Sequence, residues 1–539
     1  MAEETESIVI TFGGGVNSRT RSTDIDRNEC VTGQNFDLDP LRFAFNRRKP
    51  FDLTATAPNS QEIRGFAQLV NRAGTITTLI QAGDQVYSWN GASTFTVVGT
   101  CAATSKLRGH LAHNWLLDQY VIITDLQKAT VVKKWDGTTY SSMTHNLGGD
   151  FYAKYCRIFR ERAIFANVTT SGTDTPHVSL LSKISDEENL SAGQRPSSSI
   201  GTDAAVFLHS PDLRPINGLE EAFGNLIFST QQGKIFVLEG TSSFDYELKE
   251  FFQGSAVSGS EALLNIGNDV ILGLPTRIES LTGTLDYGDV ETNDLSIWIS
   301  TMIQNTAEWT IAYDQRFQKV LCFPDDQAAC WVMHKSVLNR VQSGFVTQSD
   351  TPRLSPWSKW ITNHAMSFQP TCVMQIYDPA SSTLKPAIFL GDANGQIFKV
   401  DGDGDQDGGT TDITVSRTSG VIRIPDGTTF DVEGWISYIG GFENTVTITF
   451  QHSGMDVFDV PLTLTLPAAS GSDAPSVYNG SAYYNGNNFY SSAFTGRLRR
   501  RNLRPAGHSN QVQVKIEVSG SSEVDIFELG LRFRTHQDP

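Results

Sequence analysis

The stretch Asn225–Leu238, NLIFSTQQGKIFVL, sets the tightest limit on what this chain can fold into. Leu226–Phe228 is an apolar run, Gln231-Gln232-Gly233 a polar turn and Ile235–Leu238 a second apolar run. That pattern predicts an antiparallel hairpin, with Gly233 supplying the positive φ the turn demands. The phrase recurs. Ile76–Ile80 turns at Ala82-Gly83-Asp84 and returns as Gln85–Trp89, and Ala387–Leu390 turns at Gly391–Gly395 and returns as Gln396–Val400. One hairpin buries a single face and is marginal in water, so repeated copies must stack into a layered or closed body. The repetition predicts an all-β chain built on a β-propeller.

Strand-turn-strand units follow one another across residues 61–400, enough for six or seven irregular blades of about 50 residues each. Trp89-Asn90-Gly91 and Trp135-Asp136-Gly137 punctuate the first two units, and Ser296–Ser300 reads as one strand of a later meander. Residues 1–60 do not read as a blade. Ser7–Phe12 is a short strand and Asp24–Thr32 one or two helical turns, so the segment is expected partly extended, packed on the propeller or on a neighbouring subunit. Glu187–Pro196 reads as a surface excursion with a helical turn. Residues 401–412 form an Asp/Gly linker. Beyond them, residues 413–539 alternate as seven strands, from Ile413–Arg417 to Val524–Phe533, which predicts an appended antiparallel β-sandwich or jelly-roll. Ser470–Ala493, rich in Tyr, Asn, Gly and Ser, reads as a long loop inserted in it.

The charge balance limits partners. A net charge of −17 over 539 residues argues against a protein that wraps nucleic acid, which needs a basic footprint. No apolar run approaches the roughly 20 residues of a membrane helix, so no membrane anchor is expected. The acidic start, Met1–Ile10, does not read as a signal peptide. The six cysteines show no Cys-x-x-Cys spacing and are expected as free thiols in a reducing cytoplasm.

Three groups of residues invite a chemical reading. Asp401, Asp403, Asp405 and Asp407 alternate with other residues, as in loops that aim several oxygens at calcium. Gln406 and Asp412 stand where an EF-hand needs Gly and Glu, and a solvated linker with no cofactor is the plainer reading. The arginines Arg497, Arg499, Arg500, Arg501 and Arg504 form the dense basic cluster of an acidic chain. They suit an acidic partner surface, a contact with nucleic acid, or the protection of an edge strand by charge. Arg47 and Arg48, with Tyr483 and Tyr484 of the long loop, complete the candidate subunit or partner interface. No Gly-x-Ser-x-Gly, His-Glu-x-x-His or Gly-x-Gly-x-x-Gly is present, so no catalytic residue is assigned and the chain is not expected to be an enzyme.

The order of these parts resembles the tail-nozzle proteins of short-tailed bacteriophages, the tail tubular protein B or head-completion stabilisation family. The residues that carry the likeness are Phe12-Gly13-Gly14-Gly15-Val16-Asn17, then Asn35-Phe36 leading to Asn46-Arg47-Arg48. Phe223–Thr230 before Gly233-Lys234-Ile235-Phe236 and Gly391–Phe398 complete it. The resemblance implies a homohexameric ring below the head-to-tail adaptor ring, carrying a tail needle, tip or fibres. It implies a virion tail component assembled in the host bacterial cytoplasm, through which genomic DNA passes without specific binding. The acidic balance suits a lumen that repels phosphate. A rival reading is a glycan- or protein-binding β-propeller with a lectin-like sandwich.

Overall fold

The computed structural model describes residues 5–535 except 13, 20, 23, 40–43, 114–118, 191–203, 244, 268, 285–288, 304, 338–353, 365–367, 403–405, 424–429, 441–443, 453–461, 466–498, 504–507, 510 and 521–523. Among them, strands from Asp52 to Lys399 form seven four-stranded antiparallel units. Their first strands are Ile63–Val70, Leu107–His113, Phe151–Phe159, Ile216–Ala222, Leu263–Asn265, Trp309–Asp314 and Cys372–Tyr377, which we call the inner strands of blades I to VII. Each inner strand packs against the next, and that of blade VII packs against that of blade I. The circle is closed. The chain is a seven-bladed β-propeller joined to a β-sandwich.

The founding hairpin is present as read. Asn225–Thr230 pairs with Lys234–Glu239, Ile227 opposite Val237, and Gly233 takes φ 82° in the turn. Leu226, Phe228, Phe236 and Leu238 then share one buried cluster with Tyr155 and Ile164 of blade III, so the apolar face of one blade is covered by the next. The period-two pattern is a packing requirement between blades.

Closure comes from the chain start. Blade VII takes its fourth strand from Asp52–Thr56, which pairs with Gln396–Lys399, Ala55 opposite Ile397. The strands before it build the sandwich. Thr5–Thr11, Phe36–Asp39 and Ala44–Arg47 join Phe430–Gly440, Arg499–Leu503, His508–Ser509 and Val524–Thr535 in one sheet. Cys30–Gln34 joins Val415–Ser419, Ile422–Arg423, Thr445–His452, Leu462–Thr465 and Gln511–Ser519 in the other. The expectation that residues 1–60 form a segment of their own, packed on the propeller or a neighbouring subunit, is therefore corrected: their described strands belong to the sandwich and to the last blade. Strand pairing between distant segments leaves no local mark in sequence.

Two local readings also change. Asp24–Thr32 holds turns and the start of Cys30–Gln34, with no helix. Ser296–Ser300 is a run of turns, because Asp294 Oδ1 accepts from the Ser296 amide and hydroxyl and Ile299 N donates to Ser296 O at 2.8 Å. Between the two sandwich sheets, Gln511–Ser519 alternates strictly, with Val512, Val514, Ile516 and Val518 inside. That core is continuous with Val270, Trp309, Trp331 and Trp357 of blades V and VI, so propeller and sandwich share one apolar interior.

Candidate functional site: the junction and the central cavity

The glycine and asparagine stretches near the chain start converge on one place, the seam between sandwich and blade VI. Gly15 N donates to Ser355 O at 2.7 Å and Val16 N to Trp357 O at 2.8 Å, beside the blade's outer strand Trp357–Trp360. A Cβ on Gly15 would lie 1.9 Å from the Trp357 carbonyl oxygen, so this approach admits only glycine. Asn35, at φ 60°, donates its amide to Lys359 O at 2.7 Å, and its Oδ1 accepts from Ile361 N at 2.8 Å and Arg48 Nε at 3.0 Å.

Arg48 is the hub of the seam. It is 1% exposed and holds Asp407 bidentately, with Nη1 at 2.8 Å from Oδ1 and Nη2 on Oδ2. Its remaining donors reach Lys49 O and Ile361 O, and the rings of Phe51, Trp360 and Phe368 surround its guanidinium. Asp407 also accepts from Thr362 Oγ1 and Phe51 N. Arg47, 4% exposed, reaches Gly520 O. The pair expected at a subunit interface therefore lies inside the chain. Burial of a fixed, delocalised charge is tolerated because each oxygen of its carboxylate partner is matched.

The carboxylates of the linker read differently once placed. Asp407 belongs to Arg48. Asp401, fully enclosed, faces Lys319 Nζ at 3.3 Å, and the same lysine reaches Asp37 at 2.7 Å. Burial raises the Asp401 carboxyl and Lys319 opposes that shift. Asp403 and Asp405 lie outside the described residues, and no cluster of three or more His, Cys, Asp or Glu suited to a metal occurs among the described ones. Arg499, Arg500 and Arg501 sit in the strand Arg499–Leu503, which ends its sheet and pairs with Phe430–Gly440, Tyr438 opposite Arg499. Arg497, Arg504, Tyr483 and Tyr484 lie outside the described residues.

Sequence reasoning missed a second buried arginine. Arg417, 2% exposed, donates to Gly14 O at 2.7 Å and Asn28 O at 2.6 Å and is ringed by Phe12, Phe36 and Phe45. Burial lowers its pKa. The available signal was parity: in Val415–Ser419, Arg417 shares its face with Val415 and Ser419, the buried positions. Beside it, Glu29 accepts from Asn17 Nδ2 at 2.6 Å and from Ser355 N, and burial raises its pKa.

On the propeller axis lies a cavity of about 200 Å³, lined by residues of the inner strands and those just before them. Arg108 of blade II reaches across the ring to Glu261, next to blade V, with Nε–Oε1 2.6 Å and Nη2–Oε2 2.7 Å. Arg157 of blade III meets Glu220 of blade IV at 2.8 Å and donates Nη1 to His110 Nδ1 at 3.0 Å. Burial and the two guanidinium groups hold His110 well below the usual histidine range, so its ring is neutral. The axis is crossed by fixed ion pairs that tie opposite and adjacent blades together.

Comparison with known proteins gives fold likeness only. No family model matches the chain, and no curated protein does. Among solved structures, the Myceliophteria thermophila Cps50 (Swd1) β-propeller domain matches at 10% identity and TM-score 0.37, over 65% of this chain and 99% of that one. A catalytically inactive virginiamycin B lyase from Staphylococcus aureus with quinupristin matches at 10% identity and TM-score 0.36, over 64% and 96%. BBS1N in complex with ARL6DN matches at 8% identity and TM-score 0.40, over 66% and 98%.

Proposed function

We propose that this chain is a non-catalytic structural component of a phage tail. In this reading it is a nozzle that forms a homohexameric ring below the head-to-tail adaptor and carries the tip or fibres. One observation supports it above the others. The short motifs shared with nozzle proteins at the chain start, around Phe12–Asn17, Asn35-Phe36 and Asn46–Arg48, all meet at the seam that fuses propeller and sandwich. A tube that must survive DNA ejection under pressure needs modules that do not hinge. A common core and buried ion pairs supply that rigidity.

Rings require two different faces of one subunit to meet. The strand Arg499–Leu503, last in its sheet among the described residues, is the segment where we look for one such face. The net charge of −17 suits a lumen that DNA slides through without sticking. The test is native mass spectrometry of the purified chain alone and with the adaptor, alongside protein identification in purified virions. A hexamer and a virion signal support the reading. A strict monomer in both mixtures, absent from particles, removes it.

The axial cavity favours a second reading, a propeller that binds a glycan or protein at its loops. Specific hits on a glycan array, with no chain in virions, would select it.

A further inference from the structure

The ion pairs on the propeller axis leave one cation over. Lys154, on the inner strand of blade III, lines the cavity together with Arg108, Arg157, Glu220 and Glu261. Each arginine is matched by a glutamate, whereas Lys154 Nζ has neither hydrogen bond nor ion pair among the described residues and rests 5.6 Å from the Tyr155 ring. Its surroundings oppose its charge. Burial lowers its pKa, the more distant charge of Glu308 offsets part of that, and Lys128 and Lys106 add smaller repulsion. Lys128 is itself engaged by Asp174 and Asn167, but Lys106 carries no carboxylate partner among the described residues. A half-buried ammonium with no carboxylate in contact among the described residues, facing a cavity, is costly unless an anion completes it.

We propose that the Lys154 end of the axial cavity is a binding site for a small multivalent oxyanion. Lys154 supplies the direct charge-assisted contact, and Lys106 adds long-range attraction. The cavity of about 200 Å³ has room for a compact anion. Neutral His110, with Arg108 and Arg157 each already paired to a glutamate, shapes its wall. Phosphate and carboxylate groups share this chemistry, so inorganic phosphate and citrate serve as the two probes. The site lies within one chain and stands independently of ring assembly.

The experiment is isothermal titration of the full chain with inorganic phosphate, and separately with citrate, at constant ionic strength. Saturable one-to-one binding of at least one anion is expected. Lys154→Met should weaken it at least tenfold, the worth of one charge-assisted hydrogen bond, and Lys154→Arg should keep it within about threefold. Hydrogen exchange of the wild type with and without the anion needs no variant. Protection should rise in segments 104–110 and 152–158. Absence of saturable binding by both anions, unchanged affinity in a folded Lys154→Met, or protection confined to other segments would each overturn the proposal.

Discussion

Replacing Arg48 by Met probes the seam where the two modules meet. The substitution keeps most of the apolar stem among Phe51, Trp360 and Phe368 but removes five polar contacts: two to Asp407 and one each to Asn35 Oδ1, Lys49 O and Ile361 O. Asp407, 1% exposed, keeps Thr362 Oγ1 and Phe51 N and loses its counter-charge. Breaking a buried pair by deleting one partner costs about 3–5 kcal/mol, mostly from the stranded charge. Arg48→Met should therefore unfold at clearly lower guanidinium concentration, followed by tryptophan fluorescence, to which the adjacent Trp360 contributes. The double variant Arg48→Met/Asp407→Leu should recover at least half of the loss, because the stranded carboxylate is gone. A single variant within about 1 kcal/mol of wild type, or a double variant as weak as the single, would refute the argument.

Other perturbations follow from the same geometry. Gly15→Ala drives a methyl group into the Trp357 carbonyl, and equilibrium unfolding should show a loss of about 2 kcal/mol or more. Glu29→Gln tests the buried carboxyl: its pKa is raised by burial, so the folded state holds its proton to higher pH than the unfolded chain. That stabilisation is full below the unfolded value and is lost as pH rises through the folded one. Glu29→Gln should accordingly gain on wild type as pH rises above the ordinary carboxylate range, and denaturation midpoints that keep a constant difference across that rise would count against it. Deleting residues 1–60 removes the fourth strand of blade VII and both sandwich contributions, so the truncated chain should be insoluble or fully protease-sensitive.

Hairpins were legible in the sequence wherever a glycine turn separated two apolar runs, as at Gly233 and Gly395, because the signal is local. The C-terminal strands were legible too, down to Thr445–His452 and Gln511–Ser519. Long-range partners were not. Nothing in Asp52–Thr56 announces Gln396–Lys399, and nothing in Thr5–Thr11 announces Val524–Thr535, since edge pairing is set by backbone groups that every residue carries. The arginines misled for a related reason. A charged residue in a loop-like stretch suggests a surface, and only the arrival of Asp407 from a distant segment makes the interior affordable for Arg48. The short stretches around Phe12, Asn35 and Arg48 pointed to a place worth attention, but the fold reveals that they serve one seam.

Electron cryomicroscopy of the chain mixed with a head-to-tail adaptor tests the proposed nozzle role most directly. A ring of six copies is expected, in which propeller and sandwich keep one fixed orientation and the strand Arg499–Leu503 lies at a contact between neighbours. Single copies whose two modules vary in orientation, or a ring built without either module at its contacts, would contradict it.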